Sequence, residues 1–153
     1  MVSFKNCVVV LNLTETQAWG IAPKIREVDE FLRTNPEAKK KIRETHPEVC
    51  FRALAGKPII HSKKSKEGFS ERLTVLGSYL PEAKKIINNA LSCSNRKDVK
   101  PDDILDSMVA AITAKFGNVR LSTLPKNPEI ESTGLPMEIV YPKQRGQIFF
   151  DNC

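Results

Sequence analysis

The sequence predicts a protein of the α/β or α+β class with more helix than strand. Most apolar residues recur three or four positions apart, as on one face of a helix, whereas two short segments near the carboxyl end favour strands. The chain has 153 residues, of which 41% are hydrophobic and 27% are charged, as in an ordinary globular protein. We therefore expect a single domain over residues 1–153 with a core of its own.

The first predicted helix covers residues 21–32, where apolar side chains follow one another at steps of four, three and four. Pro23 fits only the first turn of that helix, and Asn35-Pro36 should end it. Residues 4–13 leave helix and strand open, because their valines favour a strand while their spacing also fits a helix. Residues 39–45 are either the end of a helix or a short strand.

Four more helices are predicted further along the chain. One begins at Pro47 and stops at Gly56, and the next contains Phe69. A third opens at Pro81, and the clearest begins at Pro101 and stops before Gly117. The buried face of that last helix is predicted to consist of Leu105, Met108, Val109, Ile112 and Phe116. Residues 119–124 and 138–141 are the two predicted strands.

Charge and cysteine content limit the classes of function. The net charge of +6 favours an anionic partner such as nucleic acid. The four cysteines form no C-x-x-C pair, which argues against a zinc ribbon and favours reduced thiols. We find neither the pattern of a signal peptide nor an apolar run long enough for a membrane span, so we expect a cytoplasmic protein without a membrane partner.

Two carboxylates near the start of the clearest helix are candidate metal ligands. Asp103 and Asp106 are three residues apart and therefore share a helix face. Carboxylates in a first turn are also ordinary capping residues, since the helix dipole favours negative charge there. Both interpretations stay open. Mg²⁺ takes carboxylate oxygens and keeps several waters, so a further ligand from elsewhere would be needed.

A second constellation surrounds His46. The H-x-E spacing of His46 and Glu48 is also found in zinc deaminases, but the P-C-x-x-C half of that signature is absent. His46 is more typical of a residue that bonds at the boundary of an element. Glu44 is a candidate metal carboxylate if its segment ends a strand beside the acidic helix. Cys50 has only His46 near it as a base, which argues against a nucleophilic thiol.

Basic residues form two clusters that suit phosphate contacts, which are independent of sequence and sensitive to salt. The clusters are Lys39, Lys40, Lys41 and Arg43, and Lys63, Lys64 and Lys66. For either cluster alone, a solvated surface is the commoner explanation. Phe51 and Phe69 are predicted core residues, so no stacking platform for single strands is indicated. P-loop, dinucleotide-binding and nucleophile-elbow motifs are absent from the sequence.

Five blocks of sequence follow one another along the chain, and their order makes them specific as a set. They are QAWGI with PKIREVD in residues 17–29, E-x-H-P-E-x-x-F-x-x-L in 44–54, S-K-K-S-x-E-G with R-L in 62–73, DDILDS in 102–107 and GLPMEI in 134–139. Together they resemble the DUF429 family, whose members are described as predicted nucleases with a ribonuclease H-like fold. The resemblance spans residues 17–142.

The resemblance implies a partial ribonuclease H-like fold that lacks its first strands. Family members carry glycine-rich opening strands with an Asp that has no counterpart upstream of Phe4, so we expect an N-terminally shortened member. It also implies a nuclease dependent on Mg²⁺ or Mn²⁺, provided that this Asp is supplied. By resemblance, Glu44 is the carboxylate of the middle strand, and Asp106, with Asp103 beside it, is that of the late helix.

Three functions follow as hypotheses. The first is a metal-dependent phosphodiester hydrolase, with Glu44, Asp103 and Asp106 as catalytic metal ligands and Lys63, Lys64 and Arg43 as contacts to nucleic acid. The second is a non-catalytic protein that binds nucleic acid or a protein partner. The third is a self-associating protein, a dimer or another homo-oligomer, because missing first strands leave a sheet edge that invites pairing.

Overall fold

A computed structural model describes residues 15–95, 97, 99–117 and 120–143, with side chains from Trp19 onward. The described residues form two compact units, one up to Arg43 and one from Glu44 onward. They contain six helices and one small sheet, which confirms a helix-rich chain with few strands. The prediction of one domain over residues 1–153 stays a prediction. None of these six helices combines the length and the apolar character needed to cross a bilayer.

The first unit consists of two helices, α1 (Glu15–Thr34) and α2 (Pro36–Lys41). The break between them is where the sequence predicts it, and Asn35 caps α2 by accepting a hydrogen bond from the Ala38 amide at 3.1 Å. The placement of Pro23 in a first turn is wrong. Because α1 begins at Glu15, Pro23 lies inside the helix, where its ring nitrogen has no proton to donate to the helical ladder.

The apolar row of α1 is only partly buried in this structure. Leu32 is buried, whereas Ile21, Ile25 and Val28 from the same row are exposed. The helix over residues 21–32 was predicted correctly, because α1 contains all of these residues. Residues 4–13, for which helix and strand were left open, lie outside the described residues.

The second unit contains four helices: α3 (Pro47–Ala55), α4 (Lys66–Tyr79), α5 (Ala83–Cys93) and α6 (Pro101–Lys115). Pro47 and Pro101 open α3 and α6 as predicted, since proline in a first turn loses no helical hydrogen bond. Gly56 follows α3 with a φ of 71°, a left-handed conformation that glycine adopts without strain. Pro81 lies in a turn before α5 rather than in the helix itself.

The sheet is a single antiparallel pair. Strand β1 (Leu121–Leu124) pairs with β2 (Ile139–Pro142) in a register that places Leu121 opposite Pro142. On the other side of β2, Thr45 forms an isolated parallel bridge with Val140, and the Val140 amide donates to the Glu44 carbonyl at 2.8 Å. This bridge ties the segment before α3 to the sheet, so residues 44–45 are extended, whereas residues 39–41 are the end of α2. Each of the two alternatives for residues 39–45 therefore holds for part of the segment.

The core of the second unit lies between α3, α6 and the neighbouring helices. Phe51, Leu76, Leu105 and Val109 are completely buried in it. Four of the five predicted face residues of α6 are buried, and Phe116 is half-buried at its end. Phe51 and Phe69 contribute to this core, as predicted, rather than to a surface platform. The core thereby fixes α3 and α6 side by side, and these helices carry the carboxylates described next.

Candidate functional site

The central contact of the second unit is an ion pair between a loop and the first turns of α6. The ammonium of Lys63 donates a hydrogen bond to Asp106 Oδ2 at 2.8 Å and lies 3.9 Å from Asp102 Oδ2. Both carboxylates are mostly buried. We call Lys63, Asp102, Asp106 and the nearby Glu48 the Lys63 cluster.

Three carboxylates act on the one ammonium of the Lys63 cluster. The hydrogen bond to Asp106 raises the pKa of Lys63 above its ordinary value, and partial burial opposes that effect. The negative charges of Asp106, Asp102 and Glu48 raise the pKa further. The ammonium therefore stays protonated at every physiological pH, and the cluster behaves as a cation held by carboxylates.

One oxygen of the cluster has no hydrogen-bond partner among the residues that the structure describes. This atom, Asp106 Oδ1, is buried, although Oδ2 of the same carboxylate is held by Lys63. A buried carboxylate oxygen is normally hydrogen-bonded or bound to a cation, because burying it alone is unfavourable. Asp106 Oδ1 is therefore an unsatisfied buried acceptor next to the occupied Oδ2.

The loop that carries Lys63 is held by the buried guanidinium of Arg72. Arg72 donates to the His61 carbonyl at 3.1 Å and to the Gly68 carbonyl at 2.9 Å. It also forms a two-point contact with the Glu48 carboxylate, at 3.1 and 2.7 Å, and lies 5.7 Å from the ring centre of Phe51. Arg72 thus connects α3, α4 and the loop two residues before Lys63.

A close backbone approach fixes the same loop from its other side. A Cβ atom at Gly68 would lie 2.0 Å from the Ser62 carbonyl oxygen, so only glycine allows the loop to lie this close to α4. Ser65 caps α4 by accepting from the Gly68 amide at 3.0 Å, and its own amide donates to the Ser62 carbonyl at 2.9 Å. The backbone on both sides of Lys63 is therefore anchored to α4.

Comparison with known proteins adds one finding to this geometry. A family model described as a protein of unknown function, DUF429, matches residues 11–130, well over half of the chain. The chain belongs to the DUF429 family. Neither a curated protein nor a solved structure matches it. The matched range contains every residue of the Lys63 cluster, which is therefore part of the DUF429 region.

The predicted ligands of this DUF429 chain take different positions. Asp103 lies outside the Lys63 cluster: its Oδ2 accepts from the Lys100 amide at 3.2 Å, so the capping interpretation of this residue is confirmed. Asp106 is the acidic residue that faces the loop. The sequence offered Asp103 and Asp106 as a pair, whereas Asp102 and Asp106, four residues apart, are the two that face Lys63.

Glu44 and His46 lie next to one another before α3. Glu44 is an exposed residue, but protein atoms partly exclude water from its carboxyl and raise its pKa, and the nearby His46 opposes this shift. His46 occupies the cap position of α3 without a capping hydrogen bond from its side chain, and its buried Nδ1 has no partner within the described part of the chain. A boundary position for His46 was predicted, but the hydrogen bond expected there is not among those of the described residues.

The basic candidates are placed as follows. Lys63 is engaged with the acidic cluster, whereas its neighbour Lys64 is exposed. Arg43 is half-buried at the end of the first unit. Cys50, set aside as a nucleophile, is buried, and its Sγ lies 3.0 Å from the Thr45 hydroxyl.

Sequence reasoning missed three residues around Lys63: Asp102, Glu48 and Arg72. A signal for Asp102 was available, because residues four apart share a helix face as well as residues three apart do. For Arg72 the available signal was Gly68. A glycine in a helix allows another backbone segment to lie close to it, and an arginine four residues later is on the same helix face and can hydrogen-bond to that segment. Glu48 was noted only for its spacing from His46, and its partner lies 24 residues away.

The resemblance implies a divalent ion, and one described carboxylate suits it. Asp106 has a buried oxygen that makes no hydrogen bond within the described residues, and a carboxylate oxygen is the kind of ligand that Mg²⁺ takes. Asp103 already caps α6 through Oδ2, and its role as a metal ligand stays a prediction. Within the described residues, no three His, Cys, Asp or Glu side chains are grouped so that they could hold a metal by themselves.

Proposed function

We propose that the chain is a divalent-cation-dependent hydrolase of phosphodiesters, of the nuclease type, with Asp106 as its central carboxylate. The observation that carries the proposal is the buried, unpartnered Oδ1 of Asp106 in a cluster that already holds a positive charge. Membership of the DUF429 family is consistent with it, and the resemblance of the sequence blocks supplies the reaction class. The same proposal takes the fold as a partial ribonuclease H-like one.

A Mg²⁺ or Mn²⁺ site at Asp106 would not need three protein ligands. Mg²⁺ keeps several waters and is commonly bound through one or two carboxylates together with phosphates of the substrate. Asp106 and Asp102 are the carboxylates that contact Lys63 directly, and Glu44 and Asp103 remain candidate ligands. The chemistry that such an ion supplies when bound is neutralisation of charge on the phosphoryl oxygens.

The lysines of the loop have a separate role in this proposal. Lys64 is exposed beside Lys63, where an ammonium can contact the phosphate backbone of DNA or RNA regardless of sequence. The proposal keeps Lys63 and Arg43 as further phosphate contacts. Such contacts weaken as the salt concentration rises, because the release of counterions from the nucleic acid then contributes less free energy to binding.

Binding of nucleic acid without turnover is the second candidate function. It is favoured by the direct contact of Lys63 with Asp106. The ammonium already neutralises the charge of this carboxylate, which lowers the affinity of the carboxylate for a metal ion. The expected self-association as a homo-oligomer stays a prediction, which sedimentation at increasing protein concentration would test.

The deciding experiment compares two conservative variants on one helix. Single- and double-stranded DNA and RNA are incubated with the wild type, Asp106→Asn and Asp103→Asn, each with Mg²⁺, Mn²⁺ or EDTA. We expect metal-dependent cleavage, and we expect Asp106→Asn to reduce its rate by more than about 10-fold. Loss of a residue that only hydrogen-bonds to a metal ligand already lowers metal affinity or activity by about 10- to 100-fold. Asp103→Asn makes the same change of charge outside the cluster and should cleave like the wild type.

Two results would contradict the hydrolase. One is the absence of cleavage by the wild type with either metal, and the other is unchanged cleavage by Asp106→Asn. Salt-sensitive binding of nucleic acid without any turnover would establish the second candidate in its place.

A further inference from the structure

We propose that the loop between α3 and α4 is a wedge for double-stranded DNA. In this arrangement Ile60 inserts between two neighbouring base pairs from the minor groove, and exposed lysines of the loop contact the phosphates on either side. The inference rests on the proposed function, because it states how the nucleic acid of that function is held. It requires neither a metal ion nor cleavage.

Ile60 is 81% exposed, which is more than any other large apolar residue in the described part of the chain. The preceding Ile59 is partly buried and packs against the core of the second unit. The loop therefore turns one isoleucine inward and the next one outward. Exposure alone does not indicate a partner, since single apolar side chains are common on protein surfaces.

The backbone of Ile60 is fixed in this outward position. The Glu71 carboxylate accepts from the Ile60 amide at 3.4 Å and from the His61 amide at 3.3 Å. The Arg72 guanidinium donates to the His61 carbonyl at 3.1 Å. Because these contacts hold two consecutive residues, turning Ile60 inward would break them. A side chain that is presented in a fixed position loses less conformational entropy when a partner binds it.

The same loop carries a concentrated positive charge. Residues 57–66 contain four lysines and no acidic residue. Lys63 is held by Asp106, whereas the other three lysines are exposed on both chain sides of Ile60. The exposed lysines are Lys57, Lys64 and Lys66. An apolar side chain between ammonium groups matches a duplex, whose stacked bases lie between two rows of phosphates.

A duplex suits this loop better than a single strand or a membrane does. Single strands bind by stacking on aromatic rings, and residues 57–66 contain no Phe, Tyr or Trp. One isoleucine buries too little apolar surface to anchor a protein in a bilayer, where even a myristoyl chain binds only marginally. Isoleucine is, in contrast, among the side chains that enter duplexes as wedges, where they unstack a base step and kink the helix.

The first test measures the affinity for a duplex in EDTA, so that cleavage does not interfere. Fluorescence anisotropy follows binding of the full chain to a DNA duplex with central TA steps, which unstack easily. Ile60→Ala should bind about tenfold more weakly than the wild type, with an unchanged dependence on salt, because it loses only apolar contact. Lys64→Met should instead reduce the slope of log affinity against log salt concentration by about one.

Ile130→Ala is the matched control for Ile60→Ala. Ile130 is 63% exposed in the same unit, outside this loop, and its truncation should leave the affinity at the wild-type value. Because both isoleucines are exposed, both variants should unfold in urea with almost the same midpoint as the wild type. A loss of affinity shared by the two variants would overturn the assignment to Ile60.

A second measurement detects the wedge itself. The fluorescent base 2-aminopurine, placed at the TA step, brightens when it is unstacked. Binding of the wild type should raise this fluorescence, and binding of Ile60→Ala should not. On a stiff A-tract the two proteins should differ much less in affinity, because that sequence resists the deformation. Unchanged fluorescence on saturation with the wild type would overturn the wedge, whatever the affinities are.

The outcomes separate this inference from the proposed function. Equal duplex affinity of the wild type and Ile60→Ala overturns the wedge and leaves the hydrolase to the cleavage assay. Binding and unstacking that depend on Ile60, in a chain that cleaves no nucleic acid, support the wedge and contradict the hydrolase. Absence of duplex binding overturns the wedge, and Ile60-dependent binding to vesicles of phosphatidylserine and phosphatidylcholine would then identify a membrane surface as the partner of the loop.

Discussion

Arg72 and Glu48 form a two-point ion pair whose partners differ sharply in burial. The guanidinium donates from Nε to Oε1 at 3.1 Å and from a terminal nitrogen to Oε2 at 2.7 Å. The Arg72 side chain is only 4% exposed, whereas that of Glu48 is 37% exposed. If the partner is lost, water can therefore solvate the Glu48 carboxylate, but it cannot reach the buried Arg72 guanidinium.

This asymmetry predicts which of the two substitutions is worse. Glu48→Ala leaves a buried guanidinium without its carboxylate and should lower the free energy of unfolding by about 3 kcal/mol. Arg72→Met fills the same space with an apolar chain and should lower it by about 1–2 kcal/mol, mainly through lost hydrogen bonds. Urea unfolding followed by circular dichroism measures both values.

The double variant Glu48→Ala/Arg72→Met is the control for this pair. Because its buried charge is gone, it should be more stable than Glu48→Ala alone and close to Arg72→Met. A double variant whose loss equals the sum of the two single losses would mean that the residues act independently.

Sequence reasoning predicted the parts of the fold that depend on local signals. Pro47 and Gly56 bound α3 as expected, and the apolar spacing of α6 correctly indicated Leu105 and Val109 as core. These predictions work because caps, proline and helical periodicity act within a few residues of one another. The prediction for Pro23 was wrong because no local signal indicated that α1 starts as early as Glu15.

The site depended on contacts that no local pattern contains. Lys63 and Asp106 are 43 residues apart, and only the anchoring of the loop to α4 brings them together. The sequence paired Asp103 with Asp106, whereas Asp102 and Asp106 face Lys63, because both spacings fit one helix face. Which carboxylate caps the helix and which faces the loop is decided by tertiary packing, and that information is not present in the spacing.

Gly68 should tolerate no side chain. Alanine has the better helix propensity by about 1 kcal/mol, but its Cβ would meet the Ser62 carbonyl at 2.0 Å. The loop must then move away, so Gly68→Ala should destabilise the chain by about 2 kcal/mol or more. Gly77→Ala on the same helix meets nothing within 4 Å and should be neutral or slightly stabilising. Thermal unfolding of the two variants compares them directly, and equal behaviour would contradict the close approach.

Asp103 should act on stability and not on the cluster. Asp103→Ala removes the acceptor for the Lys100 amide and should lower the free energy of unfolding by about 1 kcal/mol. Asp103→Asn keeps an acceptor oxygen and should lower it by less. Chemical denaturation measures the difference, and Mn²⁺ binding should be the same in both variants. A change in Mn²⁺ affinity with Asp103→Asn would mean that this carboxylate belongs to the metal site after all.

Glu44 should make stability depend on pH in a direction opposite to that of a paired carboxylate. Its pKa is raised in the folded chain because protein atoms partly exclude water around the carboxyl, so the folded state holds the proton to a higher pH than the unfolded state does. The stability that Glu44 contributes is therefore present below its unfolded pKa and is lost as the pH rises through the folded pKa. Glu44→Gln cannot ionise, so at about pH 7 it should shift the urea midpoint upward, and at about pH 3 the shift should vanish.

The exposed Glu129→Gln serves as the control for loss of a negative charge. Glu44 is itself an exposed residue, so its upward shift should be small, and it should exceed that of Glu129→Gln only through the protein atoms that partly exclude water from the Glu44 carboxyl. A destabilised Glu44→Gln at neutral pH would show that the ionised carboxylate has a favourable partner in the fold. A stabilised variant that also loses metal-dependent cleavage would indicate that stability is given up at Glu44 for function, as is common at active sites.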